Sequence, residues 1–245
     1  MKQSIFTVLE NVALTSNVFK MVLEGDTSHI TNCGQFVNLK LEGRYLRRPI
    51  SVCDADNKTL TLVYKAVGGG TEQMSRMKAG EKLDILTGLG NGYNLEKAGE
   101  KPLLLGGGVG VPPMFMLAKK LIAAGKEVSV ILGFNTASEV FYEQEFKALG
   151  VKVTVTTVDG SYGVKGFVTD AMKNMDYSYF FTCGPEPMLK AVYSAAATSG
   201  QFSFEERMGC GFGACMGCSC KTVTGYKRIC KDGPVLEKEE ILWEK

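Results

Sequence analysis

An antiparallel β-barrel, then a parallel-sheet α/β domain, then a cysteine-rich tail, is the architecture that the sequence predicts, a fold class of α/β plus β-barrel. Three observations predict it. Short β-rich runs alternate with turns from residue 1 to about 100, apolar strands alternate with helical stretches from Lys101 onward, and five of the eight cysteines fall between Cys210 and Cys230. With 245 residues the chain is long enough for two domains that each bury a core. The change of texture places the segments at 1–100, 101–205 and 206–245.

The first segment contains SIFTVLENV, NVFKMVLE, GQFVNLKL, RRPISVCD, TLTLVYKAV and EKLDILTG. Runs this short, separated by turn residues, are the pattern of a small antiparallel barrel or sandwich. One helical stretch, TEQMSRMKAG, interrupts them, with Thr71 as the expected N-cap and Gly80 as the expected C-cap. The second segment alternates PLLLGGG, EVSVILGF, VKVTVTTV and YSYFFTCG with MFMLAKKLIAAG, SEVFYEQEFKALG, FVTDAMKNM and EPMLKAVYSAAATSG. Strand and helix in turn argue for a parallel sheet with helices on both faces. The third segment is rich in glycine and cysteine and too short to hold a core unless a metal cluster organises it.

Composition removes several function classes. The chain is 45% hydrophobic and 22% charged with a formal net charge of +2, and no run of Lys or Arg forms an electrostatic footprint for nucleic acid. MKQSIFTVLENVALTSN alternates polar and apolar residues, so no signal peptide is expected. No apolar run approaches the ~20 residues that a spanning helix needs. A cytoplasmic protein without membrane attachment is the expectation, and there thiols serve metals or catalysis more often than disulfides. The one histidine, His29, lies in the turn-forming stretch GDTSHITN and reads as a surface residue. No catalytic residue is assigned, since a chain so short of acid-base groups takes its chemistry from cofactors.

The sharpest signal is Cys210-x4-Cys215-x2-Cys218, followed after eleven residues by Cys230. Three close cysteines and a distant fourth are the plant-type pattern for a 2Fe-2S cluster. Gly209, Gly211, Gly213 and Gly217 let the backbone fold tightly around it, with amides free to point at the sulfurs. A structural zinc site competes, although zinc motifs usually present two separated cysteine pairs or include histidine. Cys220 stands outside the matched pattern and could replace Cys218 as ligand, whereas Cys33 and Cys53 read as buried small residues.

Two further sets of residues point to nucleotides. Arg48-Pro49-Ile50-Ser51 opens a barrel strand, where an arginine and a serine suit phosphate and ribityl oxygens, although a plain basic surface strand would look the same. Val63-Tyr64-Lys65 follows one strand later, and Gly68-Gly69-Gly70-Thr71 feeds a helix whose exposed amides suit a phosphate. Tyr64 either offers a flat face to an isoalloxazine ring or fills the barrel edge. In the second segment, Gly106 to Gly108, Val109, Gly110, Val111, Pro112 and Pro113 join a strand to a helix, a turn that admits a nucleotide close to the backbone or is simply tight. Cys183-Gly184-Pro185 ends a later strand at the edge where open parallel sheets bind ligands. Gly133-Phe134-Asn135 shows neither an acid for a ribose hydroxyl nor an arginine for a 2'-phosphate, so the pattern alone does not separate NAD from NADP.

The segments RRPIS, GGGT, LLLGGGVGVPP, CGPEPML, GCGFGACMGC and ICKDGP stand in the same order as in ferredoxin-NADP reductase-like proteins. With this cysteine tail, the chain resembles the electron transfer subunits of dihydroorotate dehydrogenase type B over nearly its whole length. The resemblance implies FAD on Arg48, Pro49, Ile50, Ser51, Val63, Tyr64, Lys65, Gly70 and Thr71. It implies NAD on Gly107, Gly108 and Gly110, with Cys183, Gly184 and Pro185 beside the nicotinamide, and a 2Fe-2S cluster on Cys210, Cys215, Cys218 and Cys230. It further implies an FMN-containing catalytic subunit as partner, a heterotetramer with two copies of each chain, and electron flow to NAD+ in pyrimidine (UMP) biosynthesis. An NAD(P)H-linked ferredoxin or sulfide oxidoreductase subunit of the same architecture competes with it. A non-catalytic, zinc-organised interaction module is the alternative from another class.

Overall fold

Six strands close into an antiparallel barrel in the first half of the chain. They are β1 (Lys2–Ala13), β2 (Val18–Glu24), β3 (Phe36–Lys40), β4 (Arg48–Ala55), β5 (Thr59–Lys65) and β6 (Lys82–Leu89), in the order β1-β2-β5-β4-β3-β6. The computed structural model describes residues 1–243. Period-two alternation closes the barrel: Phe6 and Val8 of β1 point inward and are fully buried, while Ile5 and Leu9 face out. The helix α1 (Gly69–Ser75) sits between β5 and β6.

The expected N-cap of α1 is corrected by the structure. Gly68 is the cap, and Thr71 lies at the third helical position, its hydroxyl accepting the amides of Val67 at 2.9 Å and Gly68 at 3.3 Å. Glycines 69 and 70 enter the helix, which leaves Thr71 one turn further on, reaching back as the acceptor half of a capping box. The helix also stops at Ser75, ahead of Gly80, whose φ of +91° closes the next turn instead.

The second half is a seven-stranded sheet in the order β10-β9-β8-β7-β11-β12-β15. Its strands are β7 (Pro102–Gly107), β8 (Ser129–Phe134), β9 (Lys152–Thr157), β10 (Val164–Lys165), β11 (Tyr179–Cys183), β12 (Gly200–Ser203) and, from the cysteine-rich segment, β15 (Val235–Glu237). All neighbours run parallel except β12 and β15. The crossovers carry α2 (Pro113–Ala123), α3 (Glu143–Ala148), α4 (Val168–Met172) and α5 (Glu186–Ala195). Every residue of β7 is buried because both faces of the central sheet are covered. In α2, Met114, Leu117, Ala118 and Leu121 recur at helical spacing on the buried face, with Lys119 and Lys120 facing out. The helix expected to start at Ser138 starts only at Glu143: a 3₁₀ turn covers Ala137–Glu139, and Tyr142, in a left-handed conformation (φ +66°), caps the helix. The remaining strands, β13 (Ser219–Thr222) and β14 (Gly225–Arg228), form a hairpin.

One apolar core runs across the joint between barrel and sheet, joining Val52 and Cys53 of β4 to Leu117 of α2 and to Phe141, Tyr142 and Phe146. The Tyr142 hydroxyl lies 3.3 Å from the Cys53 sulfur, and Lys119 pairs with Asp54 at 2.6 Å. Tyr93, 1% exposed, packs edge-on against Phe181 and donates to the Thr182 carbonyl at 3.2 Å. His29 is exposed, as its turn-forming neighbours imply. Replacement Tyr93→Phe removes one buried hydrogen bond across this joint and is expected to cost about 1 kcal/mol, or about 2 °C in Tm for a chain of this size. Thermal unfolding monitored by circular dichroism checks it, and a change within error would show the hydroxyl to be dispensable.

Candidate functional site

Three groups of residues meet near the joint. On the barrel, Arg48 opens β4 and donates to the Leu46 carbonyl at 2.6 Å. Its guanidinium lies along the start of α1, so close that a Cβ on Gly70 would fall 2.2 Å from Nε. Arg44, which the sequence reading passed over, does the same one residue earlier, its Nη2 donating to the Gly69 carbonyl at 3.0 Å. The signal was present as a second arginine four residues before Arg48, but only the fold brings both onto one glycine turn. A groove of about 310 Å³ opens beside them, lined by Arg44, Gly69, Glu72, Gln73 and Arg76. Two guanidiniums beside exposed helix-start amides are a setting for phosphate oxygens.

The rest of the barrel set divides by face. Pro49 and Ser51 pair with Asn38 and Phe36 of β3, whereas Ile50 pairs with Val37, which lies in the barrel core. Tyr64 is 2% exposed, stacked on Phe19 at 5.9 Å, with its hydroxyl donating to Asn11 at 3.0 Å. Burial pushes its phenol up to about 12. Of the two roles that the sequence leaves open for this ring, the packing is that of barrel filling. Val63 is buried too, and Lys65 remains half-buried at the strand end.

At the carboxyl edge of the sheet, the turn after β7 and the turn after β11 stand side by side, because these strands are neighbours. A Cβ on Gly110 would fall 2.2 Å from the Cys183 carbonyl oxygen, and one on Gly107 would fall 2.3 Å from the Met188 sulfur. Gly108 takes a left-handed φ of +51°. These glycines let the two turns close into a single floor, and Pro112 and Pro113 start α2 from it. Gly184 is buried in that floor and Pro185 is exposed at the start of α5. Although part of Cys183 reaches the surface, burial of its thiol pushes it up to about 12, against a hydrogen bond from Ser203, so it stays protonated at neutral pH.

The acid missing from the end of β8 is present four residues on. Glu139 folds back in a 3₁₀ turn, where its carboxylate accepts the Asn135 amide at 3.1 Å and the Asn135 side chain at 2.9 Å. Asp159 follows β9, its carboxyl held low by the Ser161 hydroxyl and amide, and Ser161 in turn accepts the Ala137 amide at 2.8 Å. Two carboxylates at these neighbouring strand ends suit a free ribose hydroxyl and repel a 2'-phosphate.

The cysteine loop is seated on the barrel. The Asn91 side chain donates to the carbonyls of Val235 at 2.8 Å and Asp232 at 3.3 Å and accepts the Val235 amide at 3.1 Å, while its own amide donates to the Gly233 carbonyl at 2.8 Å. Phe36, Leu86 and Leu89 of the barrel share a core with Cys218, Ile229 and Cys230. The Cys210 sulfur accepts the amides of Ala214 at 3.2 Å and of Phe212 and Cys215 at 3.5 Å. Burial would raise the Cys210 thiol, but these amides and the Cys215 thiol outweigh it and bring it down to about 6. Burial, with the neighbouring Cys218 thiol, pushes Cys230 up to about 12.

The Cys215 amide thus donates to the Cys210 sulfur, and the Cys230 amide donates to the Cys218 sulfur at 3.4 Å, which sets the four cysteines in two neighbouring pairs. Among the described residues no three such side chains converge to hold a single ion. Two pairs of thiols fit two irons with two ligands each, whereas one tetrahedral zinc needs four on one centre. Cys220 lies in β13 opposite Lys227, and burial raises its thiol.

Comparison with known proteins agrees with this geometry. Residues 205–242 match the model for the iron-sulfur cluster binding domain of dihydroorotate dehydrogenase B, and residues 104–194 match the oxidoreductase NAD-binding domain. The chain is 41% identical over 98% of both chains to the dihydroorotate dehydrogenase B (NAD(+)) electron transfer subunit of Shouchella clausii, and 43% identical over 96% of both to that of Fusobacterium nucleatum. Among solved structures, the NADH-dependent reduced ferredoxin-NADP oxidoreductase superposes with a TM-score of 0.89 at 30% identity, covering 97% of this chain and 90% of the other. A ferredoxin NADP+ reductase from Neisseria gonorrhoeae with bound FAD and NADP shares the fold, with a TM-score of 0.69 at 18% identity over 80% of this chain and 90% of the other. Relatives this similar along the whole length show that the chain belongs to the family of dihydroorotate dehydrogenase B (NAD(+)) electron transfer subunits.

Proposed function

We propose that this chain is the electron transfer subunit of an NAD-dependent dihydroorotate dehydrogenase, carrying electrons from the flavin of a partner catalytic subunit to NAD+ in de novo pyrimidine (UMP) biosynthesis. Its cofactors are FAD, a 2Fe-2S cluster and NAD. The observation that carries this reading is the set of four cysteines, neighbours two by two, on a loop fastened to the barrel strand next to the flavin segment. Bound FAD exchanges a hydride with the nicotinamide and single electrons with an iron-sulfur cluster, which is the conversion that such a function requires.

The residues of the chain bind and orient. Arg48, with Pro49, Ile50, Ser51, Val63, Lys65, Gly70 and Thr71, forms the FAD site, Tyr64 supports its strand from inside the barrel, and Arg44 adds a second guanidinium to the site. Gly107, Gly108 and Gly110, with Cys183, Gly184 and Pro185, form the floor for NAD. Cys210, Cys215, Cys218 and Cys230 ligate the cluster, and the backbone amides around Cys210 stabilise negative charge on its sulfur. In this reading no group among the described residues is assigned as a general acid or base, and none needs to touch dihydroorotate.

The partner in this reading carries FMN and assembles with this chain as two copies of each. No helix among the described residues is long and apolar enough to cross a membrane, and we place the assembly in the cytoplasm. A ferredoxin-linked oxidoreductase subunit is the nearest competitor, given the 30% identical structure. Identities of 41% and 43% to dihydroorotate dehydrogenase subunits, tail included, favour the first reading.

Co-expression with a type B catalytic subunit tests the function. The expected complex oxidises dihydroorotate with NAD+, and a complex that reduces ferredoxin but leaves dihydroorotate untouched would sink the proposal. In Cys230→Ser, the iron content and the EPR signal of the reduced protein should be lost or altered while FAD stays bound and NADH still reduces an artificial two-electron acceptor. Simultaneous loss of FAD would contradict the separation of the two sites. In Gly110→Ala, the new methyl must push the Cys183 carbonyl away, so KM for NADH should rise about 10- to 100-fold with flavin and iron contents unchanged. Steady-state diaphorase kinetics read this, and an unchanged KM would remove Gly110 from the NAD floor.

A further inference from the structure

Strand β3 lies between the sites assigned to flavin and cluster. Its residues alternate: Val37 and Leu39 fill the barrel, whereas Phe36 joins the core that holds Cys218 and Cys230, and Asn38 shares that outer side. Asn38 is 1% exposed. Its cross-strand neighbour is Pro49 of the flavin segment, and its Nδ2 donates to the carbonyl of Cys210 at 3.3 Å. Gly211 comes so near, at a φ of +80°, that a Cβ there would fall 2.4 Å from the same Nδ2. The cluster loop therefore rests its backbone directly on this amide.

The other end of the amide is different. Asn38 Oδ1 is fully buried and has no hydrogen-bond partner among the described residues. Leaving a buried acceptor unpaired is costly, and such atoms are rare enough that each asks for an explanation, of which a bound group that donates to it is one. An iron-sulfur cluster supplies none, because its sulfides and thiolates are acceptors. The isoalloxazine ring of a flavin does carry a ring N–H.

We propose that Asn38 bridges the two redox sites, with Nδ2 holding the cluster loop and Oδ1 accepting a hydrogen bond from the ring N–H of the flavin. This rests on the assignment of FAD to the barrel face. One side chain then fixes the position of the flavin ring and of the first cluster ligand relative to the same strand.

The test compares purified wild-type protein with Asn38→Leu and Asn38→Asp at pH 8. Loss of the acceptor in Asn38→Leu should weaken FAD binding about fivefold, the equivalent of one hydrogen bond, and shift the visible flavin bands. The EPR spectrum of the reduced cluster should change in the same variant, because the loop has lost its anchor. Asn38→Asp keeps an acceptor but loses the donor, so its EPR spectrum should change while FAD affinity holds. Should Asn38→Leu fail to fold, the Asp variant decides alone. Wild-type flavin affinity and absorption in Asn38→Leu, or equal loss of FAD in both variants, would overturn the proposal. Thr156→Val removes another buried hydroxyl without a partner, in β9, and should leave both spectra unchanged. A wild-type protein lacking flavin or iron would overturn the functional reading itself, a separate outcome.

Discussion

The fastening of the cysteine tail to the end of β6 is the constraint on which the arrangement of sites depends. Asn91 closes a ring of hydrogen bonds around residues 232–235, engaging that backbone with both its side chain and its amide. Those residues lead from Cys230 into β15, which pairs antiparallel with β12. The tail is thus tied to the barrel at one end and to the sheet at the other. A segment with so few apolar side chains could not fold on its own, and it borrows Phe36, Leu86 and Leu89 from the barrel to cover Cys218 and Cys230. Covering the second pair of sulfurs and positioning the first pair are two results of the same docking.

The joint between barrel and sheet has a related consequence. The core crosses it without a break, through Cys53, Tyr142, Phe115 and Phe146, and Tyr142 holds a left-handed backbone conformation to get there. A tyrosine in that conformation carries a backbone cost of about 1 kcal/mol or more, offset by the ring packing around it. The seam resembles a domain interior more than a hinge, so the glycine floor at the sheet edge and the outer face of the barrel, the sites proposed for nicotinamide and flavin, keep a fixed distance. Transfer between two carriers is sensitive to spacing, and continuous packing is the direct way to hold it.

Most of this was legible in the chain. Period-two runs gave the barrel, alternating apolar strands and amphipathic stretches gave the sheet with its helices, and cysteine spacing pointed to the cluster, because each is a local pattern with one physical cause. Asn38, Arg44 and Asn91 were not legible, since each acts only through residues distant in sequence. Thr71 shows a subtler limit: a threonine before a helical run is a fair N-cap, but two glycines ahead of it extended the helix backward and left its hydroxyl reaching back to the amides of Val67 and Gly68. Tyr64 was open between two roles because burial of an aromatic ring is a property of neighbours, here Phe19 and Asn11. Glu139 was not legible at the strand end because it lies four residues beyond Asn135 and returns there only through a 3₁₀ turn.

The charge distribution now separates the two nucleotides. Arg44 and Arg48 gather beside the start of α1, and Glu139 and Asp159 gather at the ends of β8 and β9. A dinucleotide has two phosphates at its centre and a free hydroxyl on its adenosine ribose. The cationic end therefore suits the pyrophosphate of a permanently held cofactor. In the proposed reading the anionic end would accept a hydrogen bond from the ribose of NAD, and its carboxylates disfavour an added 2'-phosphate.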